Sequence, residues 1–261
     1  MSCRAGFRAI RSLVLALAAA CFLPAAPIHD AAGAGDVEKV RALLAVDRTA
    51  VDAKDGNGHT PLLIAAANGQ IEVMKLLLEK GAAVDAKDSN GSTPLTLAVW
   101  QGYLDMAKLL LEKGAAVNAK TNEGITPLMF AIQQWYLDLV ELLLDKNAAV
   151  DAKNEKGATP LMIAVTKGRI DVVKLLLKKG AAVDLKNNLG TTAFMWAAAN
   201  GQIEIMKLLL KKGVAVDATL NNNSGYTQLM HAAANGRLDV LKLLLENGAA
   251  IEARTRMVTG R

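Results

Sequence analysis

Histidines are the side chains of this sequence best suited to acid–base or metal chemistry, and there are three of them, His29, His59 and His231. They lie far apart in the chain, and none belongs to a nucleophile elbow, a phosphate-binding loop or a His-Glu zinc motif. Catalysis requires convergent groups with supporting geometry. Because the sequence shows no such set, it predicts a protein that is not an enzyme and that uses no cofactor and no metal.

A recurring Val-Asp-Ala-Lys segment, with its variants, repeats a carboxylate at equivalent places in the chain. One interpretation is a row of cation ligands. The other is that each aspartate bonds its own backbone within a turn, as turn aspartates commonly do. The second interpretation is preferred, because each copy recurs together with the surrounding segment. The residues concerned are Asp52, Asp85, Asp151, Asp184 and Asp217, with Asn118 in the third copy.

The elements that position these residues come from one repeated segment, seen most clearly from Gly58 to Asn90. Thr-Pro-Leu recurs every 33 residues, and Thr192 and Thr227 begin two further copies of the segment, which lack the proline. A fixed period of that size indicates a stacked repeat protein. The prolines of the full motif are Pro61, Pro94, Pro127 and Pro160.

Each segment contains the signals for two helices. Thr60 is a typical helix N-cap, Pro61 fits the first helical position, and Gly69 can take the left-handed conformation that ends a helix. A second helix is predicted from about Gln70 to Lys80, because its apolar residues form a wide stripe opposite charged ones. The sequence therefore predicts thin helix pairs that bury one another's apolar faces.

This pattern resembles the ankyrin repeat over roughly nine-tenths of the chain. The resemblance implies an all-α solenoid of about seven antiparallel helix pairs, with protruding β-hairpin fingers and a concave groove that holds a partner protein. The family's usual histidine after Thr-Pro-Leu, which ties neighbouring turns together, is replaced here. Packing of methionine side chains in the core is expected instead. The replacing residues are Leu63, Thr96, Met129, Met162, Met195 and Met230.

The resemblance also divides the chain. Residues 27–57 form a truncated N-terminal capping repeat, 58–224 five full repeats, 225–257 a C-terminal repeat and 258–261 a tail. The first repeat is more polar, as a cap should be, whereas the last is as apolar as an internal repeat. Either the tail folds over this exposed flank, or the last repeat frays. A monomer is expected.

Residues 1–26 lie outside the repeats and have the layout of a secretory signal peptide, with arginines before an apolar run and small residues after it. Export to a periplasm or to the medium is predicted, as in the bacterial exported ankyrin repeat proteins that the chain resembles. Cys21 follows a degenerate lipoprotein box, so lipidation and membrane attachment are an alternative. Another alternative is a disordered or helical extension of a cytosolic protein. Cys3 and Cys21 are the only cysteines, which excludes a disulfide framework in the repeats.

The charge of the chain argues against nucleic acid as the partner. Three of the 30 basic residues lie in the leader, which leaves 27 against 25 acidic residues. The second helix of the fourth repeat is acidic through Asp138, Glu141 and Asp145, and the next two are basic. A basic face would suit anionic lipid, but a solvated face is commoner and no aromatic residue is interleaved to stack a base. The basic residues are Lys174, Lys178, Lys179, Lys207, Lys211 and Lys212.

Aromatic residues near the middle of the array form the predicted binding site. The fourth repeat has Trp135 where other full repeats have glycine, although left-handed backbone is unfavourable for tryptophan. In ankyrin proteins the ends of the first helices and the finger tips line the groove, so the resemblance implies one patch there. Large aromatic residues are typical of binding hot spots. The predicted protein-binding residues are Trp100, Gln101, Tyr103, Gln133, Gln134, Trp135 and Tyr136.

Other interpretations of these aromatic residues remain open. Trp135 and Tyr136 would alternatively pack internally, in the space that the missing glycine leaves. Four further residues on the first helices are predicted to face the core, namely Phe130, Phe194, Trp196 and His231. The competing function is that of an accessory or inhibitory factor for a periplasmic enzyme or toxin.

Overall fold

The computed structural model describes residues 26–216 and 227–251, so the predicted signal peptide lies outside the described residues except for Ala26. The described part is all-helical and contains fourteen α-helices and one short 3-10 helix at Arg48–Asp52. The helices are α1 (Ala26–Ala34), α2 (Val37–Val46), α3 (Pro61–Ala67), α4 (Ile71–Glu79), α5 (Pro94–Gln101), α6 (Leu104–Glu112), α7 (Pro127–Gln134), α8 (Leu137–Asp145), α9 (Pro160–Thr166), α10 (Ile170–Lys178), α11 (Ala193–Ala199), α12 (Ile203–Leu210), α13 (Gln228–Ala234) and α14 (Leu238–Glu246).

The fourteen helices form seven pairs, which confirms the predicted all-α repeat architecture. The chain divides into two compact units, an N-terminal unit (Met1–Ser89) and a C-terminal unit (Asn90–Arg261). In the N-terminal unit α1 packs against α3, and α2 against α4. In the C-terminal unit each first helix packs against the next first helix, from α5 through α7, α9 and α11 to α13. Among the described residues, no helix is both long and apolar enough to cross a membrane.

A buried threonine begins each first helix from α3 onward. The hydroxyl oxygen of Thr159, for example, accepts a hydrogen bond from the backbone N–H of Met162 at 3.3 Å, and Pro160 follows at the first helical position. This arrangement satisfies an N–H group that the helix itself leaves unpaired. The equivalent caps are Thr60, Thr93, Thr126, Thr192 and Thr227.

The finger segments between helix pairs form turns and contain no regular strand within the described ranges. Backbone hydrogen bonds nevertheless join one finger tip to the next. In the C-terminal unit the N–H of Asn122 donates to the carbonyl of Asn90 at 2.8 Å, and that of Glu155 to the carbonyl of Glu123 at 3.0 Å. Ser89 donates in the same way to Asn57, at 3.1 Å, within the N-terminal unit. These fingers are therefore held in register with one another, although no β-hairpin ladder forms in the fingers that the structure describes.

Two of the recurring aspartates, Asp52 and Asp151, bind the neighbouring repeat rather than their own turn, and Asp217 lies outside the described residues. The Oδ1 of Asp52 accepts the backbone N–H of Ala83 at 2.9 Å, and that of Asp151 accepts the N–H of Ala182 at 3.0 Å. Asn118 does the same with Ala149 at 2.8 Å, because an amide oxygen accepts as a carboxylate does. The prediction of a bond within the same turn was wrong for these residues. No group of three potential metal ligands occurs among the residues that the structure describes.

His29 takes the position of the family's usual histidine in the first repeat, because it aligns with Leu63 when Gly35 is aligned with Gly69. It is buried, and its Nε2 lies 3.0 Å from the carbonyl oxygens of both Ala53 and His59. The tie between neighbouring turns that the later repeats lack is therefore present once, in the N-terminal unit. In the later repeats, the predicted core packing is confirmed for Met129, Met162 and Met195, which are at most 3% exposed.

Candidate protein-binding groove

A groove runs along the C-terminal unit between its first helices and its finger segments. Two adjoining sections, of about 720 and 1040 Å³, share Trp100, Gln133, Glu155 and Lys156 on their walls. The helices α5, α7, α9 and α11 form the floor of the groove, because the fourth residue of each helix lines it. Those fourth residues are Leu97, Phe130, Ile163 and Trp196.

Trp100 is the most prominent side chain of this groove. Its side chain is 46% exposed. The indole packs edge-to-face with the ring of Phe130, with the ring centroids 5.2 Å apart and an interplanar angle of 84°. Edge-to-face contacts of this kind are favourable beyond the area that they bury. Phe130 therefore holds the indole in one orientation while about half of its surface stays open to a ligand.

Three of the predicted binding residues line this groove, namely Trp100, Gln133 and Gln134. Gln101, Tyr103, Trp135 and Tyr136 do not, because they lie at the last residue of a first helix or in the turn that follows a first helix. The single predicted patch is therefore divided into a groove part and a turn part.

Phe130 and Trp196 are half-buried and line the groove, so the prediction that they face the core was wrong. His231 is half-buried as well and occupies the equivalent fourth position of α13. The prediction was right for Phe194, which is fully buried. A signal for the difference is present in the sequence, since Phe194 is the second residue of its helix whereas Phe130 and Trp196 are the fourth. Residues two places apart on a helix point to different faces.

Trp135 adopts the left-handed conformation, with φ 62° and ψ 40°, at the position where other repeats have glycine. Two residues of the next repeat hold its ring. The guanidinium of Arg169 lies 3.9 Å from the ring centroid, and the indole Nε1 donates to the Oδ2 of Asp171 at 3.3 Å. The cation–π contact and the hydrogen bond offset part of the backbone strain. Trp135 is still 52% exposed, so it is anchored at its position without being internal.

Tyr136 lies against the preceding repeat. A Cβ atom added to Gly102 would come within 2.9 Å of the Tyr136 ring, and Gly102 also has a φ of 83°. Only glycine meets both requirements without strain. Tyr136 is half-buried as a result, which places it closer to the packing interpretation than to that of an open binding residue.

The strain at Trp135 leads to a testable order of stability. We expect Trp135→Gly to be more stable than Trp135→Ala by about 1 kcal/mol, because both variants lose the ring contacts but only alanine keeps the cost of left-handed backbone. Urea unfolding followed by circular dichroism measures the difference. The matched control is the exposed helical residue Gln134, where alanine should be the more stable replacement. If glycine is not the better residue at 135, the position carries no strain.

The helix pairs, their inter-repeat hydrogen bonds and the groove together define a helical repeat protein that presents a preformed surface. The family model described as "Ankyrin repeats (3 copies)" matches residues 28–121, 115–187 and 179–255. The chain therefore belongs to the ankyrin repeat family, whose members generally mediate protein–protein interaction and are typically not enzymes.

The chain is similar to the crystal structure of the ankyrin repeat domain of Bcl-3, described as a unique member of the IkappaB protein family. The TM-score is 0.73 at 28% identity, over 83% of this chain and 97% of that domain. No curated protein matches the sequence.

Proposed function

We propose that the groove of the C-terminal unit binds a partner protein, without catalysis, through an apolar segment of that partner. The observation that carries this proposal is Trp100, whose indole is held by Phe130 and yet remains 46% exposed at the middle of the groove. Exposed, rigid tryptophans are typical of residues that dominate binding energy. Leu189 adds an apolar contact at the finger tips, where it is 69% exposed.

The ladder of hydrogen bonds between repeats supports the same proposal. Lys120 donates from Nζ to the carbonyl of Lys153 at 2.9 Å, and Lys153 donates to that of Lys186 at 2.8 Å, next to the finger tips that border the groove. These contacts order the fingers before any partner arrives. Association with an ordered surface loses less conformational entropy than association with a mobile one. Specificity then resides in the variable groove residues, with Gln133 and Gln134 supplying adaptable polar contacts.

Capture of the partner by the full chain tests this function. The chain is immobilised, exposed to native periplasmic and secreted fractions, and the bound proteins are identified by mass spectrometry. A true groove partner should be retained by the wild type and by Val46→Ala, which alters an exposed apolar residue of the N-terminal unit, and lost with Trp100→Ala. Retention by the wild type and by both variants would show that the groove is not the binding surface.

The class of the partner and the compartment are part of this proposal. Export rests on residues 1–26, and the mass of the mature chain tests it, since cleavage before Cys21 and lipidation of that cysteine give different masses. A periplasmic enzyme or toxin is the alternative partner class, in which this chain acts as an accessory or inhibitory factor. A change in that enzyme's turnover when the groove is filled would distinguish regulation from simple retention.

Anionic membrane is the second candidate ligand, and the charges of the C-terminal unit favour it. A hydrogen bond from Lys207 and the charge of the same lysine lower the pKa of Glu204, and the charges of Lys211 and Lys174 add to this effect. Lysine charges therefore gather on the exposed side of α10 and α12. The charge of Lys179 is partly balanced, because its Nζ forms an ion pair with the Oδ1 of Asp145 at 3.0 Å.

Charge reversal tests the membrane candidate. Reversal of Lys178, Lys211 and Lys212 to glutamate should abolish binding to vesicles that contain anionic lipid, because each basic residue near such a surface contributes about 1 kcal/mol. The matched control reverses Lys80, Lys113 and Lys146, exposed lysines that follow the second helices of other repeats. Co-sedimentation at low and high salt measures the effect. Equal loss in both triple variants would indicate a dependence on total charge alone.

A further inference from the structure

The outer side of the last helix pair, α13 and α14, carries apolar side chains whose equivalents in the preceding repeats are buried or half-buried. Leu238 is 75% exposed and Leu245 is 43% exposed. Ala233 is exposed too, whereas Leu229, Met230 and Leu241 are half-buried. We call these six residues the end face.

Comparison with equivalent positions shows what normally covers such residues. Leu229 corresponds to Leu128 and Phe194, which are at most 1% exposed, and Leu241 corresponds to the fully buried Val140 and Met206. The helices that carry Leu128, Phe194 and Met206 each pack against the corresponding helix of the following repeat. The end face therefore has the composition of an internal contact between repeats, but no helix pair follows α14 within the described residues.

The first repeat does not share this feature. Lys39 is exposed at the position where later repeats bury an apolar residue, such as Val73 or Val172, and Asp30 is exposed where α3 has Ile64. Charged residues of this kind are suited to the outer side of a terminal repeat, which faces water, because burying an unpaired charge is costly. Stacking of the end face on the first repeat of another copy would bury Lys39, so that arrangement is disfavoured.

Residues 252–261 are also a poor cover for the end face. Residues 252–261, EARTRMVTGR, contain three arginines and a glutamate, and only Met257 and Val258 are large apolar residues. Two large apolar side chains are too few to cover the six apolar residues of the end face. The end face of a second copy does match, since it offers the same apolar residues and a rim that carries both signs of charge, with Asp239, Lys242 and Glu246 exposed.

We propose that the end face binds the end face of a second copy of this chain, which gives a closed, two-fold symmetric dimer. Self-complementary patches are the rule in two-fold dimers. The contact would bury residues at positions that consecutive repeats bury in the C-terminal unit, but it would join two identical faces. The groove residues lie on other repeats, so both grooves stay accessible and a dimer presents two of them. A partner with two binding segments would then be held more tightly than by one chain. This dimer would replace the monomer expected from the sequence.

Sedimentation equilibrium of the full chain over a range of concentrations tests the proposal. The mass should rise from one chain of 27.5 kDa to two and then stop. The double variant Leu238→Glu/Leu245→Glu should weaken self-association by about tenfold or more, because each copy brings two charges into the apolar contact. The matched control is Leu189→Glu, an equally simple change at an exposed leucine outside the end face, and it should leave the dimer intact.

Three outcomes would overturn the proposal. One is a chain that stays monomeric at every concentration, and another is a mass that grows beyond two chains, which indicates open stacking. The third is a variant lacking residues 252–261 that self-associates when the full chain does not, because those residues would then be the cover. Leu238→Ser alone, at a side chain that is largely solvated, provides a milder variant if the double one is poorly folded. None of these results depends on the groove, so the failure of the proposed function is recognised separately.

Discussion

Trp100→Ala is expected to weaken capture of the partner by about 2 kcal/mol, close to a thirtyfold loss of affinity, while the helical content stays unchanged. The indole is nearly half-exposed in the wall of the groove, so its removal deletes partner contacts and leaves the core intact. Titration calorimetry with the captured partner measures the affinity, and far-ultraviolet circular dichroism measures the helix content.

The control for this result is Trp135→Ala, which removes a tryptophan of similar exposure at the turn. If the groove alone carries binding, this variant keeps its affinity. If both variants lose affinity with their helices intact, the partner extends from the groove to the turn, and the single binding patch predicted from the sequence stands. Unchanged affinity in both would remove the aromatic residues from the interface.

Phe194→Ala is expected to lower the free energy of unfolding by about 3–5 kcal/mol, because it leaves a cavity where a fully buried ring fills the layer between consecutive first helices. Urea unfolding followed by circular dichroism measures this loss. Binding of the partner should weaken only as far as the folded fraction falls, since Phe194 is absent from the groove walls.

Phe130→Ala is the matched control, because it removes the same side chain from a half-buried groove position. Its effect on stability should be smaller, and its effect on affinity larger, since Trp100 loses the ring that orients it. The two phenylalanines thus separate folding from binding. Equal losses of stability in the two variants would contradict the assignment of Phe130 to the groove.

The helices follow from local signals, and the sequence therefore predicted them well. The second helix expected from about residue 70 to residue 80 is Ile71–Glu79, and Thr60 and Pro61 begin the first helix as their chemistry requires. Threonine caps and terminal glycines act within one turn of the chain, so their effect is visible without knowledge of any neighbour. The period of 33 residues then determines how the pairs stack.

Contacts between repeats were harder to predict, because they join residues that are one period apart. Asp151 bonds the backbone of Ala182, 31 residues later, and Trp135 bonds Asp171, 36 residues later. A turn aspartate and a tryptophan in place of glycine each have a plausible local explanation. Only the register of adjacent repeats shows which group reaches which partner.

The sequence by itself determined that this chain is an ankyrin repeat array, since capping, apolar periodicity and repeat length are properties of the chain read in order. The tertiary structure decided which residues are available for binding. It turned Phe130 and Trp196 into the groove, fastened Trp135 to the next repeat, and left Leu238 uncovered at the end. The physical reason is that exposure depends on the neighbouring repeat, which lies close in space but a whole period away in sequence.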